Sequence, residues 1–171
     1  MEWNYKDMIV RRVIAYYVDH PPVNEQIVHT QAVASYTRLI AIGEGLDAHQ
    51  VDLLEMAAWM HDIGCPKARE IYGNSLPPHQ EKEGRILVNE WLLDEPELTA
   101  EEKVWLADVV GSHHHFAAAK KLHFEPLFEA DLIVNLWEGY YKMEHANSYY
   151  EKMMLTETGR RLFSDFFLRK G

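Results

Sequence analysis

The sequence predicts an all-α fold, a bundle of helices with short helices at its C-terminal end. Three observations carry this. Apolar residues recur at spacings of three and four in nearly every segment. No stretch alternates apolar and polar residues for long, and no Asn-Gly or Asp-Gly hairpin dipeptide occurs. Helix-start signals precede several of the periodic stretches. With 171 residues and 47% hydrophobic content, the chain can build one core, so residues 1–171 are expected to form a single domain.

The elements follow in order. Asn4 can cap a first helix running to about Asp19, with Met8, Ile9, Val13 and Tyr16 or Tyr17 as its apolar stripe, and Pro21-Pro22 ends it. A second helix follows Asn24 and stops at Gly43; Val28, Ala32, Tyr36 and Leu39 mark its inner side. Asp47 and Gln50 form a capping box for a third helix, whose interior holds Val51, Leu54, Ala57, Ala58 and Met60 and which ends in His61-Asp62. Pro66 suits the first turn of a short helix stopping near Gly73. After a loop at 74–78, a helix from about Pro78 to Leu93 carries Ile86, Leu87, Trp91 and Leu92. Thr99 and Glu102 box the start of the next, with Val104, Leu106, Ala107 and Val110 inside, and it reaches His113-His114-His115. A polar loop is expected up to Pro126, then a helix through Asp131 to Trp137, then amphipathic segments at Glu144–Leu155 and Thr158–Leu168.

Charge narrows the function classes. Seventeen basic against twenty-seven acidic residues give −10, which disfavours a surface that tracks a long nucleic acid. A small anionic substrate remains compatible, because a bound metal reverses the local field. No apolar run approaches the ~18 residues that span a bilayer, so no membrane partner is expected. The N-terminal stretch lacks the apolar core of a signal peptide, and one cysteine cannot form an internal disulfide, which together point to a cytoplasmic protein.

The polar residues inside otherwise apolar helices are His29, His61, Asp62 and Asp131, drawn from three helices far apart in sequence. Imidazole and carboxylate together suit Mn, Fe, Co, Ni or Zn, whereas Mg and Ca prefer oxygen alone. A bare His-Asp pair says little in a chain with ten histidines. Here the pair closes the apolar helix Leu54-Glu-Met-Ala-Ala-Trp-Met-His61-Asp62-Ile-Gly64, an isolated helical His precedes it, and an Asp follows in Glu129-Ala130-Asp131-Leu132-Ile133.

This ordered arrangement, His…His-Asp…Asp on a helical pattern, resembles the HD-domain superfamily of metal-dependent phosphohydrolases over roughly residues 24 to 140. The resemblance maps His29, His61, Asp62 and Asp131 onto the family's metal ligands. It implies one or two divalent transition-metal ions and hydrolysis of a small phosphorylated substrate, a nucleotide or a related phosphate ester. Two-metal members use further histidines between the His-Asp pair and the final Asp. His79, at a helix start and followed by Gly84, and the triplet His113–His115 are the candidates here; successive helical residues point about 100° apart, so at most two of the three can face one metal, with His114 favoured and His113 next. A metal- or nucleotide-sensing module without catalysis and an oxygen-activating di-iron protein are the alternatives.

Further candidates lie near the motif. Lys67 and Arg69 can hold a phosphate, though the superfamily's His-Asp-x-x-Lys pattern is departed from because Cys65 and Pro66 push Lys67 one position farther. Asp62 can orient the attacking water, and Glu83, four residues after His79, can act as general acid or base. Nothing marks Cys65 as a nucleophile. The aromatics Trp3, Tyr16, Tyr17, Trp59, Trp91 and Trp137, together with Tyr140-Tyr141 and Phe163, Phe166 and Phe167, read as packing or as a homodimer contact.

Overall fold

The computed structural model describes residues 4–169. Trp3 lies outside them. Every regular element among the described residues is helical. Helix α1 (Tyr5–Asp19) starts where the Asn4 side chain accepts the amide of Asp7, and it buries Ile9, Val13 and Tyr17. Helix α2 (Val23–Gly43) and α3 (Ala48–Met60) follow, the latter opened by the Asp47/Gln50 capping box. A single turn carrying His61 and Asp62 leads into α4 (Gly64–Tyr72), which ends on Gly73 at φ 71°.

Helices α5 (Pro77–Leu92) and α6 (Ala100–Val110) come next, α6 again opened by a capping box, Thr99 with Glu102. Then follow α7 (Phe116–Leu122), α8 (Glu125–Trp137), a 3₁₀ turn at Met143–His145, α9 (Ala146–Met153), α10 (Glu157–Phe163) and a π-helical turn at Ser164–Leu168.

Helices α2, α3 and α8 pack on one another, α1 lies against α3 and α2, and α4, α5 and α6 continue the bundle. One core cluster runs from Ile9 and Tyr17 through Ile40, Met60 and Leu106 to Leu127. Full burial of one such side chain contributes about 1.5–3 kcal/mol. A smaller cluster gathers Leu132, Ile133 and Leu136 of α8 with Ala146, Met154 and Phe163. It explains why α8 is buried on nearly every side: α2 takes one flank and the C-terminal helices the other.

Two expectations are corrected. The inner face of α2 is His29, Thr30, Val33, Ala34, Thr37, Ile40 and Ala41, while Val28 and Leu39 stand exposed. The stripe is rotated by one residue, about 100°, because three of its members are polar and an apolar template passes over them. Similarly, Met8, Ile86 and Val104 are exposed, and Val88 and Val109 fill the inward positions. The segment after His115 is not a loop: it forms α7, whose Ala119 is buried and whose end is capped by His123 at φ 59°.

Candidate metal centre

Four side chains from three mutually packed helices converge. His29 comes from the middle of α2, His61 and Asp62 from the turn after α3, and Asp131 from the buried middle of α8. His29 Nε2 lies 3.2 Å from His61 Nε2, 3.6 Å from Asp62 Oδ2 and 3.3 Å from Asp131 Oδ1. His61 Nε2 lies 3.5 Å from Asp62 Oδ2 and 3.6 Å from Asp131 Oδ1. An ion with bonds of about 2.1 Å separates its donors by about 3.0–3.4 Å, so His29, His61 and Asp131 suit one ion, with Asp62 within 3.6 Å of both rings.

The far sides of the rings fix which nitrogen faces inward. His61 Nδ1–H donates to the Ala58 carbonyl at 2.6 Å, and a carbonyl can only accept. His29 Nδ1–H donates to Glu138 Oε2 at 2.8 Å. Each ring therefore presents Nε2 to the centre, held in orientation by an outer partner. Asp131 Oδ1 accepts from the Asn135 side chain one turn on, at 2.8 Å. Two imidazole nitrogens and two carboxylates packed this closely call for a positive charge among them.

The electrostatics say the same. Burial opposes protonation of His29, but Asp131, Asp62 and Glu138 overcome it and raise its pKa to about 10. Burial pushes the Asp62 and Asp131 carboxyls up, and the neighbouring imidazoles more than reverse this, holding both well below the usual carboxylate range. The site keeps its carboxylates ionised and attracts a cation.

Beside the four lies a second group. His113 is 1% exposed, its Nδ1–H donates to the Val110 carbonyl, and its Nε2 has no hydrogen-bond partner although Asp62 Oδ1 stands 3.4 Å away. Burial and the neighbouring His114 keep the His113 pKa below its ordinary value, so the ring offers a lone pair. His114 turns instead toward Glu81: its amide and its Nδ1 both face Glu81 Oε1, at 3.1 and 3.2 Å, and His115 Nε2 donates to Glu81 Oε2 at 3.1 Å. The ring nearer Asp62 is thus His113, and His114 lines the cavity above.

Three predicted residues are not brought to the cluster. His79 stacks on Tyr72 with ring centroids 4.1 Å apart, and its Nδ1 faces Asn74 Oδ1 at 2.7 Å. Lys67 pairs with Glu70 at 2.9 Å on the outer side of α4. Glu83 is buried but accepts from the Tyr72 hydroxyl at 2.9 Å. Arg69, by contrast, lines the cavity. Cys65 also lines it, its thiol donating to Gln80 Oε1 at 3.0 Å, with burial raising its pKa so that it rests as a thiol.

Glycines let α4 and α5 meet closely enough to set this geometry. A Cβ on Gly64 would run into the Gln80 carbonyl and the Gly84 amide, and one on Gly84 would stand 2.8 Å from Val110 Cγ1. The close approach seats Gln80 and Glu81 beside the His61-Asp62 turn. Glu81, Glu138 and Asn135 escaped the sequence reading, yet signals exist. Glu81 lies three residues before Gly84, on the contact face of α5, and Asp131, Asn135 and Glu138 fall at i, i+4, i+7 on α8.

The HD-domain family model matches residues 27–160. The chain belongs to the HD-domain family, whose members are generally metal-dependent hydrolases. No curated protein and no solved structure matches it. The His/Asp groups described above are ones that can hold a metal ion.

Proposed function

We propose that the protein is a metal-dependent phosphohydrolase acting on a small phosphorylated metabolite. The observation that carries this reading is the convergence of His29, His61, Asp62 and Asp131, the first two and the last with spacings suited to one ion, at the floor of a cavity of about 900 Å³. A divalent ion held there would lower the pKa of bound water to near neutrality and neutralise charge on phosphoryl oxygens. The mixed nitrogen and oxygen donors favour Mn, Fe, Co, Ni or Zn. The unpartnered His113 Nε2, with Asp62 Oδ1 beside it, supports a second ion, which His113 and Asp62 would hold. In this reading His113 takes the part expected of His79 and His114.

The chain's own groups supply the rest. Glu138 and the Ala58 carbonyl hold the two imidazoles in register, and Asn135 does so for Asp131. His114 lines the cavity with its pKa raised: burial opposes this, and Glu81, Asp131 and Asp62 overcome it. Tyr17, Pro22, Leu76 and Pro77 wall the cavity and limit water around the phosphoryl group.

The test is hydrolysis of a panel of phosphate esters after chelation and metal addition. Activity should fall to background with the chelator and return with Mn²⁺ at least tenfold more than with Ca²⁺, because Ca²⁺ prefers oxygen-only sites. Equal rescue by Ca²⁺, or full activity in chelator, overturns the reading.

A further inference from the structure

The cavity over the metal centre is unevenly charged. Asp62, Cys65 and Arg69 fall at i, i+3, i+7, so they share one face across the turn and α4, and all three line the cavity. Arg69 is the one lysine or arginine among the described lining residues. Its guanidinium donates to Gln26 Oε1, a neutral amide oxygen, so its charge stays available. Beyond the centre itself, His114 is paired with Glu81, and the other charged lining groups are acidic. Glu138 is engaged by His29, and Glu25 stands exposed. The remaining wall includes Val28, Leu76 and Tyr140, which are 62%, 59% and 73% exposed and so offer apolar and aromatic surface to a ligand.

Charge counting sets what fits. One divalent ion is balanced by Asp62 and Asp131, and Arg69 adds a single positive charge. A phosphate monoester, at about −1.5 to −2 near pH 7, comes closer to matching the single positive charge that is left than a di- or triphosphate does. Each further phosphate would add negative charge to a cavity that also holds the Glu25 carboxylate and whose one lysine or arginine among the described lining residues is Arg69. A volume of about 900 Å³ leaves room for an organic body as large as a nucleoside.

We propose that this cavity selects a phosphate monoester on an uncharged, apolar or aromatic body and turns away di- and triphosphates. The proposal rests on the phosphohydrolase reading for its reaction and adds the substrate class. Arg69 grips the non-transferred phosphoryl oxygens, and Glu25 repels extra phosphate. In the reaction the bond from phosphorus to the water oxygen forms and the bond to the ester oxygen breaks. The ester oxygen takes a proton, so the products are an alcohol and inorganic phosphate.

The experiment measures binding first, by calorimetry on Mn²⁺-loaded protein, with free Mn²⁺ and ionic strength held equal. Adenosine monophosphate and adenosine triphosphate serve as probes because they share one body. The monophosphate should bind at least tenfold more tightly. Arg69→Gln should weaken it at least tenfold, and Glu25→Gln should strengthen triphosphate binding more than monophosphate binding. Triphosphate binding as tight as monophosphate binding, no monophosphate binding at all, or an unmoved R69Q affinity each overturns the proposal. Turnover of the same probes separates the two readings. Selective monophosphate binding without hydrolysis supports the selectivity and overturns the phosphohydrolase reading. Triphosphate hydrolysed as readily as monophosphate overturns the selectivity and leaves that reading standing.

Discussion

Glu138 shows how much a single residue outside the four-donor cluster can matter. Its carboxylate reaches His29 from the end of α8, one helix away, and holds the ring so that Nε2 faces Asp131. Loss of such an outer partner typically costs 10–100-fold in metal affinity. Glu138→Gln should therefore weaken metal binding by about that factor, read by competition with a chromogenic chelator, while the helical circular-dichroism signal stays unchanged. Unchanged affinity would show that His29 is oriented by packing alone. His113 carries a companion lesson. The triplet His113–His115 was visible in the sequence, but which ring faces Asp62 depends on where α6 ends. The helix stops at Val110, and the turn after it aims His113 inward and His114 at Glu81.

At the scale of elements, the helix starts were legible because caps are local chemistry: Asn4, Asp47 and Thr99 each accept the amide expected of them. The rotation of α2 was not legible. Its buried stripe includes His29, Thr30 and Thr37, and only the packing of α3 and α8 shows that these face inward. α7 was missed for a related reason, since seven residues with two lysines give a weak periodic signal. The contact of α4 with α5 was half legible. Gly84 stood out as the glycine after His79, but its meeting with Gly64 emerges only from the fold.

That contact is testable. Gly64→Ala puts a methyl group into the Gln80 carbonyl, and overpacking of this kind costs about 1–3 kcal/mol or more. The variant should melt several degrees lower and lose metal affinity, because Asp62 sits two residues away. A wild-type melting temperature and metal content would contradict the tight crossing.

Glu129 gives the element-scale prediction for pH. It is fully buried on α8 and accepts from the amides of Leu155 and Thr156 and from the Thr156 hydroxyl, which ties α8 to the start of α10. Burial raises its pKa to about 7, the donors from Thr156 and Leu155 oppose the rise, and the Glu44 charge adds to it. The folded value lies above the unfolded value of about 4.3, so the native state holds the extra proton between them. Stability from this group therefore increases as pH falls from about 8 to 5 and is lost as pH rises through 7. The full span is worth about 2–3 kcal/mol. Relative to Glu129→Gln, the wild type should gain stability over that pH range in chemical denaturation. A difference independent of pH would contradict the assignment.

Across the whole molecule, the bundle's work is to bring residues about a hundred positions apart to one point. α2, α3 and α8 form a mutually packed trio, and each places its contribution to the four-donor cluster where the cavity reaches the core. The order of those residues along the chain was legible, because polar groups in apolar helices stand out. The geometry was not, since spacing in sequence says nothing of the distance between α2 and α8. The most direct test of the central claim, that His29, His61, Asp62 and Asp131 hold a metal ion, is elemental analysis of protein purified without chelator. The wild type should carry at least one transition-metal ion per chain, and His61→Ala and Asp62→Ala should each carry close to none while keeping their helical signal. A wild type without metal, or either variant with the wild-type metal content, would contradict the account.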